Sequence, residues 1–194
     1  MRQTIRECRL PPQLFRDLLS AFRQDVTTTR YETWDDVLDY CRRSANPVGR
    51  LVLRVAGYDA AALDAASDAV CTALQLANFW QDFAIDWRKG RLYVPASIWQ
   101  PAGAREADLA AAWTTPAWRA ALADAILRTR ALFATGRPVC DGVTGRLRYE
   151  LRATWLGGTT ILDKLEAADY DVFAGRPRLT KADAPRILWR TIVW

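Results

Sequence analysis

Histidine is absent from all 194 residues. Its absence removes the usual general base of neutral-pH catalysis, the serine-hydrolase triads and any zinc set completed by imidazole. Cysteine is scarce. Cys8, Cys41, Cys71 and Cys140 show no paired metal spacing and read as reduced, buried residues of a cytoplasmic protein. Glycine and proline number only 10 and 9, and they gather at punctuation points such as Pro95, Pro101 and Gly103, or Gly175-Arg-Pro177. No alternating run bounded by Asn-Gly or Asp-Gly signals strands. No segment approaches the roughly 20 consecutive apolar residues that span a bilayer, and the first seven residues have no signal-peptide core. Internal repeats, low-complexity tracts and a nucleotide-binding glycine fingerprint are missing as well.

What is present is helical. Hydrophobic residues make up 51% of the chain, and Leu14-Phe15-Leu18-Leu19-Phe22 and Leu122-Ile126-Leu127-Leu132-Phe133 repeat at helical spacing. The reading is an all-α bundle forming a single domain over 1–194, with helices near 11–25, 33–55, 59–88, 105–112, 115–136, 140–169 and 180–193. Pro47 and Gly49 sit inside the second of these and should either bend it or end it at Asn46. Nine tryptophans, Trp80, Trp113, Trp118 and Trp155 among them, are expected to fill the core or cover bundle surfaces.

The net charge of +5 does not read as nucleic-acid binding. Arginines are dispersed among Asp and Glu, with no basic tract and no recognition-helix motif. Surface charge and an anionic small-molecule ligand account for the balance.

The most informative stretch is a polar stripe of Gln75, Asn78, Asp82 and Asp86. Spacings of three, four and four put these side chains on one helical face. The flanks, Val70, Ala73, Leu76, Ala77, Phe79, Trp80, Phe83 and Ile85, would bury the helix nearly all round. Carboxylates in such a setting are costly without a cation. A basic turn, Arg88-Lys-Gly-Arg91, and Tyr93 follow directly. Paired carboxylates with an amide oxygen suit Mg2+, a hard cation that shares oxygen ligands with substrate phosphates. Arginine beside them suits a diphosphate.

The segment Leu74-Gln-Leu-Ala-Asn-Phe-Trp-Gln-Asp-Phe-Ala-Ile-Asp-Trp-Arg-Lys-Gly-Arg-Leu-Tyr-Val-Pro95 resembles the second aspartate-rich motif of the squalene and phytoene synthases. Tyr40-Cys-Arg-Arg-Ser-Ala-Asn-Pro-Val-Gly49 resembles the tyrosine-to-glycine segment lining their prenyl channel. The similarity continues through Gly157-Gly-Thr-Thr-Ile-Leu-Asp163 and covers most of the chain. Within the family, Ser44–Gly49 and Asn78–Asp82 look most like the bacterial hydroxysqualene synthases of hopanoid biosynthesis; branches that join two prenyl diphosphates usually carry arginine where this chain has Gln81.

The resemblance implies an isoprenoid-synthase-like fold and magnesium-dependent ionisation of presqualene diphosphate, with water capture giving hydroxysqualene. It assigns Asn78, Asp82 and Asp86 to magnesium, and Arg88, Arg91 and Tyr93 to the diphosphate. It places Tyr40 and Gln75 beside the reacting carbons and lines the channel with Val48, Gly49 and Leu74. Head-to-head condensation of farnesyl diphosphate is the alternative within the fold, and a non-catalytic isoprenoid-binding or assembly protein is the alternative outside it. The family's first aspartate-rich motif precedes everything matched, so the resemblance reads as the C-terminal portion of the fold. Asp35-Asp-Val-Leu-Asp39 spells a DDxxD string, yet it reads as a helix start capped by Thr33, where acidic residues suit the helix dipole. A lipid-like substrate would favour peripheral contact with the cytoplasmic membrane face, helped by Ile187-Leu-Trp189 and Trp194.

Overall fold

Apolar residues at three- and four-residue spacing need partners on more than one side, and helix packing supplies them. A computed structural model describes residues 2–194. Its helices are α1 (Arg2–Glu7), α2 (Pro12–Gln24), α3 (Trp34–Ser44), α4 (Asn46–Val55), α5 (Ala61–Gln81), α6 (Phe83–Arg88), α7 (Ala96–Trp99), α8 (Glu106–Leu109), α9 (Pro116–Gly136), α10 (Val139–Gly142), α11 (Gly145–Ala167) and α12 (Ala184–Val193). No strand occurs among the described residues.

Helix α5 is the axis of the bundle, with α4, α9 and α11 packed against it and α3 alongside. Its buried residues include Val70, Ala73, Leu76, Ala77, Phe79 and Trp80. Trp80 and Trp118 are fully buried, each with its indole nitrogen satisfied: Trp80 donates to Thr129 Oγ1 at 2.9 Å and Trp118 to the Arg105 carbonyl at 2.9 Å. Trp113, by contrast, is 56% exposed. All four cysteines are free; Cys41 and Cys140 are buried, whereas Cys8 and Cys71 are only partly so.

Three of the long expected helices are broken. The 33–55 stretch divides at Ala45 (φ −117°, ψ −47°), two residues before Pro47, whose ring cannot coexist with a continuous ladder. The 59–88 stretch divides at Asp82 (φ −96°, ψ 7°). The 140–169 stretch separates into α10 and α11 at Val143-Thr144, and α1 and α7 were not anticipated. The Thr33 cap is present as a reciprocal box: Thr33 Oγ1 accepts from the Asp36 N–H, and the Asp36 carboxylate accepts from the Thr33 N–H at 2.8 Å. Asp39 pairs with Arg42 and Arg43 on the same helix. The DDVLD string therefore serves its own helix.

Close approach to α5 depends on glycine. A Cβ on Gly136 would lie 2.7 Å from the Val70 nitrogen and 2.8 Å from the Ala66 oxygen.

Candidate active site

The breaks in helicity and the close packing together shape a cleft of about 690 Å³ between α5, α11 and the segment that follows α11. Leu74, Ala77, Asn78 and Gln81 line it from α5, Ala153, Thr154, Gly157, Gly158 and Ile161 from α11, and Arg176, Arg178 and Leu179 from the segment beyond. Gly158 sets the depth. A side chain there would strike Phe133 at 2.5 Å and Leu74 at 2.7 Å. The walls are mostly apolar, and the polar groups collect at the α5 end.

At that end Asp82 sits in the turn between α5 and α6. Its N–H donates to the Asn78 carbonyl at 2.9 Å, and its own carbonyl accepts from Ile85 and Asp86, each at 2.8 Å. Its carboxylate lies outside the cleft lining and meets the cleft through Arg176. It accepts from Arg176, through Nε to Oδ1 and through Nη2 to Oδ2 at 3.3 Å. Asp86 lies one turn further on, its side chain 16% exposed, with Lys89 Nζ 3.9 Å away. Burial raises the Asp86 carboxyl above the ordinary carboxylate range and the charge of Asp82 adds to that, against the opposing pull of Lys89 and Arg91.

The basic loop that follows is fixed by its backbone. Arg91 N–H donates to the Asp86 carbonyl at 2.8 Å, and the N–H groups of Leu92, Ala96 and Ser97 donate at 2.9 Å to the carbonyls of Thr29, Tyr31 and Glu32. Arg30 clamps the same loop, reaching the Gly90 carbonyl at 2.6 Å and Glu106 at 2.8 Å. The Arg91 guanidinium reaches the Asp25 carbonyl at 3.1 Å. Beneath lies an aromatic stack: Phe79 and Tyr93 are parallel at 3.7 Å, Tyr31 stacks on Tyr93 at 5.8 Å, and Tyr40 leans on Phe79 at 6.0 Å. Burial raises the hydroxyl pKa of Tyr31, Tyr40 and Tyr93, so all three remain protonated.

The structure places Leu74 and Asn78 in the cleft, Asp82 beside it through Arg176, and Asp86 and Arg91 one turn beyond Asp82, and separates others from it. Gln75 is half-buried and does not line the cleft, and Arg88 is exposed. Tyr40 and Tyr93, 5% and 9% exposed, belong to the core beneath the loop instead of facing the cleft. Gly49 does not face a channel. A Cβ there would collide with Ser67 Oγ and Cys71 Sγ, so its small size serves the α4–α5 crossing. Val48 lines a separate apolar groove of about 430 Å³ with Leu51, Val52, Val55 and Leu147. That groove and the cleft share α11, where Glu150 of one and Ala153 and Thr154 of the other are a turn apart. Gln81, Arg176, Arg178 and Leu179 are among the cleft residues that sequence reasoning did not assign to the site; Gly175-Arg-Pro177 reads only as loop punctuation.

The donor set fits a hard divalent cation. Asp82, Asp86 and the Asn78 amide offer oxygens only, and the two carboxylates already draw positive charge from Arg176 and Lys89. Among the described residues no three Cys, Asp or Glu side chains converge as a metal group.

The sequence model of the squalene/phytoene synthase family matches residues 1–183. The chain belongs to the squalene/phytoene synthase family. Among curated family members, the hydroxysqualene synthase of Rhodopseudomonas palustris is 43% identical over 171 residues, 87% of this chain and 58% of that protein. The hydroxysqualene synthase of Sinorhizobium fredii is 38% identical over 82% of this chain and 55% of its own length. The chain therefore spans a little over half the length of these relatives. In structure it is similar to the squalene synthase HpnC of Alicyclobacillus acidocaldarius, with a TM-score of 0.83 and 41% identity over 86% of this chain and 63% of that one. A dehydrosqualene synthase, at 18% identity and a TM-score of 0.85, shares the isoprenoid-synthase helical fold. No helix among the described residues is long and apolar enough to cross a membrane.

Proposed function

We propose that this chain carries the second aspartate-rich half of a prenyl diphosphate site and acts in ionising presqualene diphosphate, with water capture to hydroxysqualene. The observation that carries this reading is the polarity of the cleft: an apolar trough along α5 and α11 with Asn78 and Gln81 at its α5 end, next to Asp82, whose partner Arg176 lines the trough, with Asp86 and the Arg91 loop one turn on. The likeness to two hydroxysqualene synthases supports the choice of product.

Leu74, Ile161 and Leu179 would bind the prenyl chains and keep bulk water from the reacting carbon. Asn78, Asp82 and Asp86 would hold magnesium, which neutralises diphosphate charge as the leaving group departs. Arg91, with Arg88 at the loop's exposed edge, would orient that diphosphate. The carbon–oxygen bond breaks with its electron pair going to diphosphate. A water molecule then adds to the rearranged carbocation and releases a proton, giving hydroxysqualene. No histidine is needed, because the leaving group departs as a metal- and arginine-neutralised anion.

Residues 1–194 joined behind the N-terminal part of the R. palustris enzyme provide the test. With presqualene diphosphate and Mg2+, mass spectrometry should detect hydroxysqualene, and Asp82→Asn should lower its rate by about 100-fold or more without loss of helicity. Near-normal turnover by Asp82→Asn would overturn the assignment.

A further inference from the structure

Residues 175–179 belong to neither helix nor strand, yet they form one wall of the cleft. Their position rests on side-chain ties. Gln81, the last residue of α5, donates from Nε2 to the Pro177 carbonyl at 2.6 Å. The next residue, Asp82, takes the guanidinium of Arg176. Adjacent residues at the end of α5 thus grip adjacent residues of the strap. Beyond it, Thr180 N–H donates to Asp183 at 2.6 Å and Asp183 pairs with Lys164 at 3.1 Å, which moors the strap to α11. Pro177 removes backbone freedom between the two ties.

We infer that Gln81 is a positioning residue: its amide holds the 175–179 strap over the cleft, keeping Arg176 where it and a divalent cation alternate as counter-charge to Asp82. The cation half of this inference rests on the function proposed above; the tie itself does not. Chemistry explains why the residue is glutamine. A neutral amide donates to the Pro177 carbonyl without neutralising the adjacent carboxylate, so Asp82 remains open to exchange. An arginine at this position could also donate, but it would bring a permanent charge beside Asp82 and compete for it. When a cation takes Asp82, Arg176 is released from its partner but stays tethered through Pro177. By linkage, whatever strengthens the Arg176–Asp82 pair weakens cation binding.

Limited trypsinolysis of the 194-residue chain reads the tie, because the Arg176–Pro177 bond resists trypsin whereas Arg178–Leu179 does not. Losing one net hydrogen bond should speed cleavage after Arg178 by roughly three- to ten-fold in Gln81→Leu. Cleavage after Arg128 and Arg130 in α9 should be unchanged, which a merely destabilised fold would not allow. Gln81→Arg should restore protection. Titration with Mn2+, followed by electron paramagnetic resonance, reads the exchange. Arg176→Gln should bind Mn2+ about ten-fold more tightly than wild type, and Gln81→Arg more weakly despite its intact strap. Unchanged cleavage after Arg178 in Gln81→Leu would overturn the tie, and equal Mn2+ affinity in wild type and Arg176→Gln would overturn the exchange. Failure of the hydroxysqualene assay alone would leave the trypsin result standing and so count against the proposed function, not against the strap.

Discussion

Asp86 shows how much of the site is written in single residues. Its pKa is raised in the fold by burial and by Asp82, so its ionised form opposes folding. The folded state then holds more protons than the unfolded one above the ordinary carboxylate range, and stability falls as pH rises through that window. Asp86→Asn should therefore melt higher than wild type at pH 7, the difference shrinking as pH drops toward the ordinary carboxylate range; equal melting temperatures at pH 7 would contradict the burial argument. Asp183 has the opposite sign. Hydrogen bonds from the Thr180 N–H and hydroxyl, with Lys164, hold its pKa at about 2. Its contribution is present above the ordinary carboxylate range and lost as pH falls toward 2, so by circular dichroism Asp183→Asn should lose less stability than wild type over that interval. The stripe from Asn78 to Asp86 was legible because periodicity and apolar flanks are local properties. Arg176 was not, since it meets Asp82 across 94 residues of sequence and lies in a segment without periodicity. Gly49 was ambiguous in the sequence, because close approach of a helix and of a ligand demand the same small residue.

Among the helices, positions follow the apolar spacing and the breaks follow chemistry that spacing does not see. Pro47 announced the α3–α4 break, but Asp82 carries no sequence signal for a turn. The glycine at the end of α9 gives a sharp test. Gly136→Ala would press a Cβ on the α5 backbone, which cannot yield as a flexible side chain can, and should cost about 1–3 kcal/mol. Gly175→Ala, with open space around it, should change stability by less than about 0.5 kcal/mol. Urea denaturation of the pair checks both. At the start of α3, Thr33→Ala removes the cap and should cost about 1 kcal/mol while leaving cation affinity untouched; a parallel loss of Mn2+ binding would reinstate DDVLD as a ligand set.

Over the molecule as a whole, apolar surface is unevenly distributed. Leu19, Phe22 and Val26 on and after α2 and Val48, Val52 and Val55 on α4 are between 43% and 82% exposed. Surfaces of this kind promote association, so the chain expressed alone should form dimers or larger species by light scattering. Leu19→Lys with Phe22→Lys should shift it toward monomer; a monodisperse wild-type monomer would show the surface to be harmless. On α12, Leu188 and Trp189 are 62% and 66% exposed, whereas Trp194 turns inward against Trp155 at 5.4 Å under Arg137. Of the residues expected at a membrane, only part of the set is available. The turn at Asp82 has a further consequence. It places the carbonyl end of the 21-residue α5 beside two carboxylates, so the partial negative charge of that helix terminus adds to theirs in a protein of net charge +5. A cation in bulk solvent is repelled by the molecule and attracted only within about a Debye length of the site, whereas a diphosphate meets the reverse. Moderate salt should then quicken metal association while slowing that of the anion, and the two partners would arrive with opposite ionic-strength signatures.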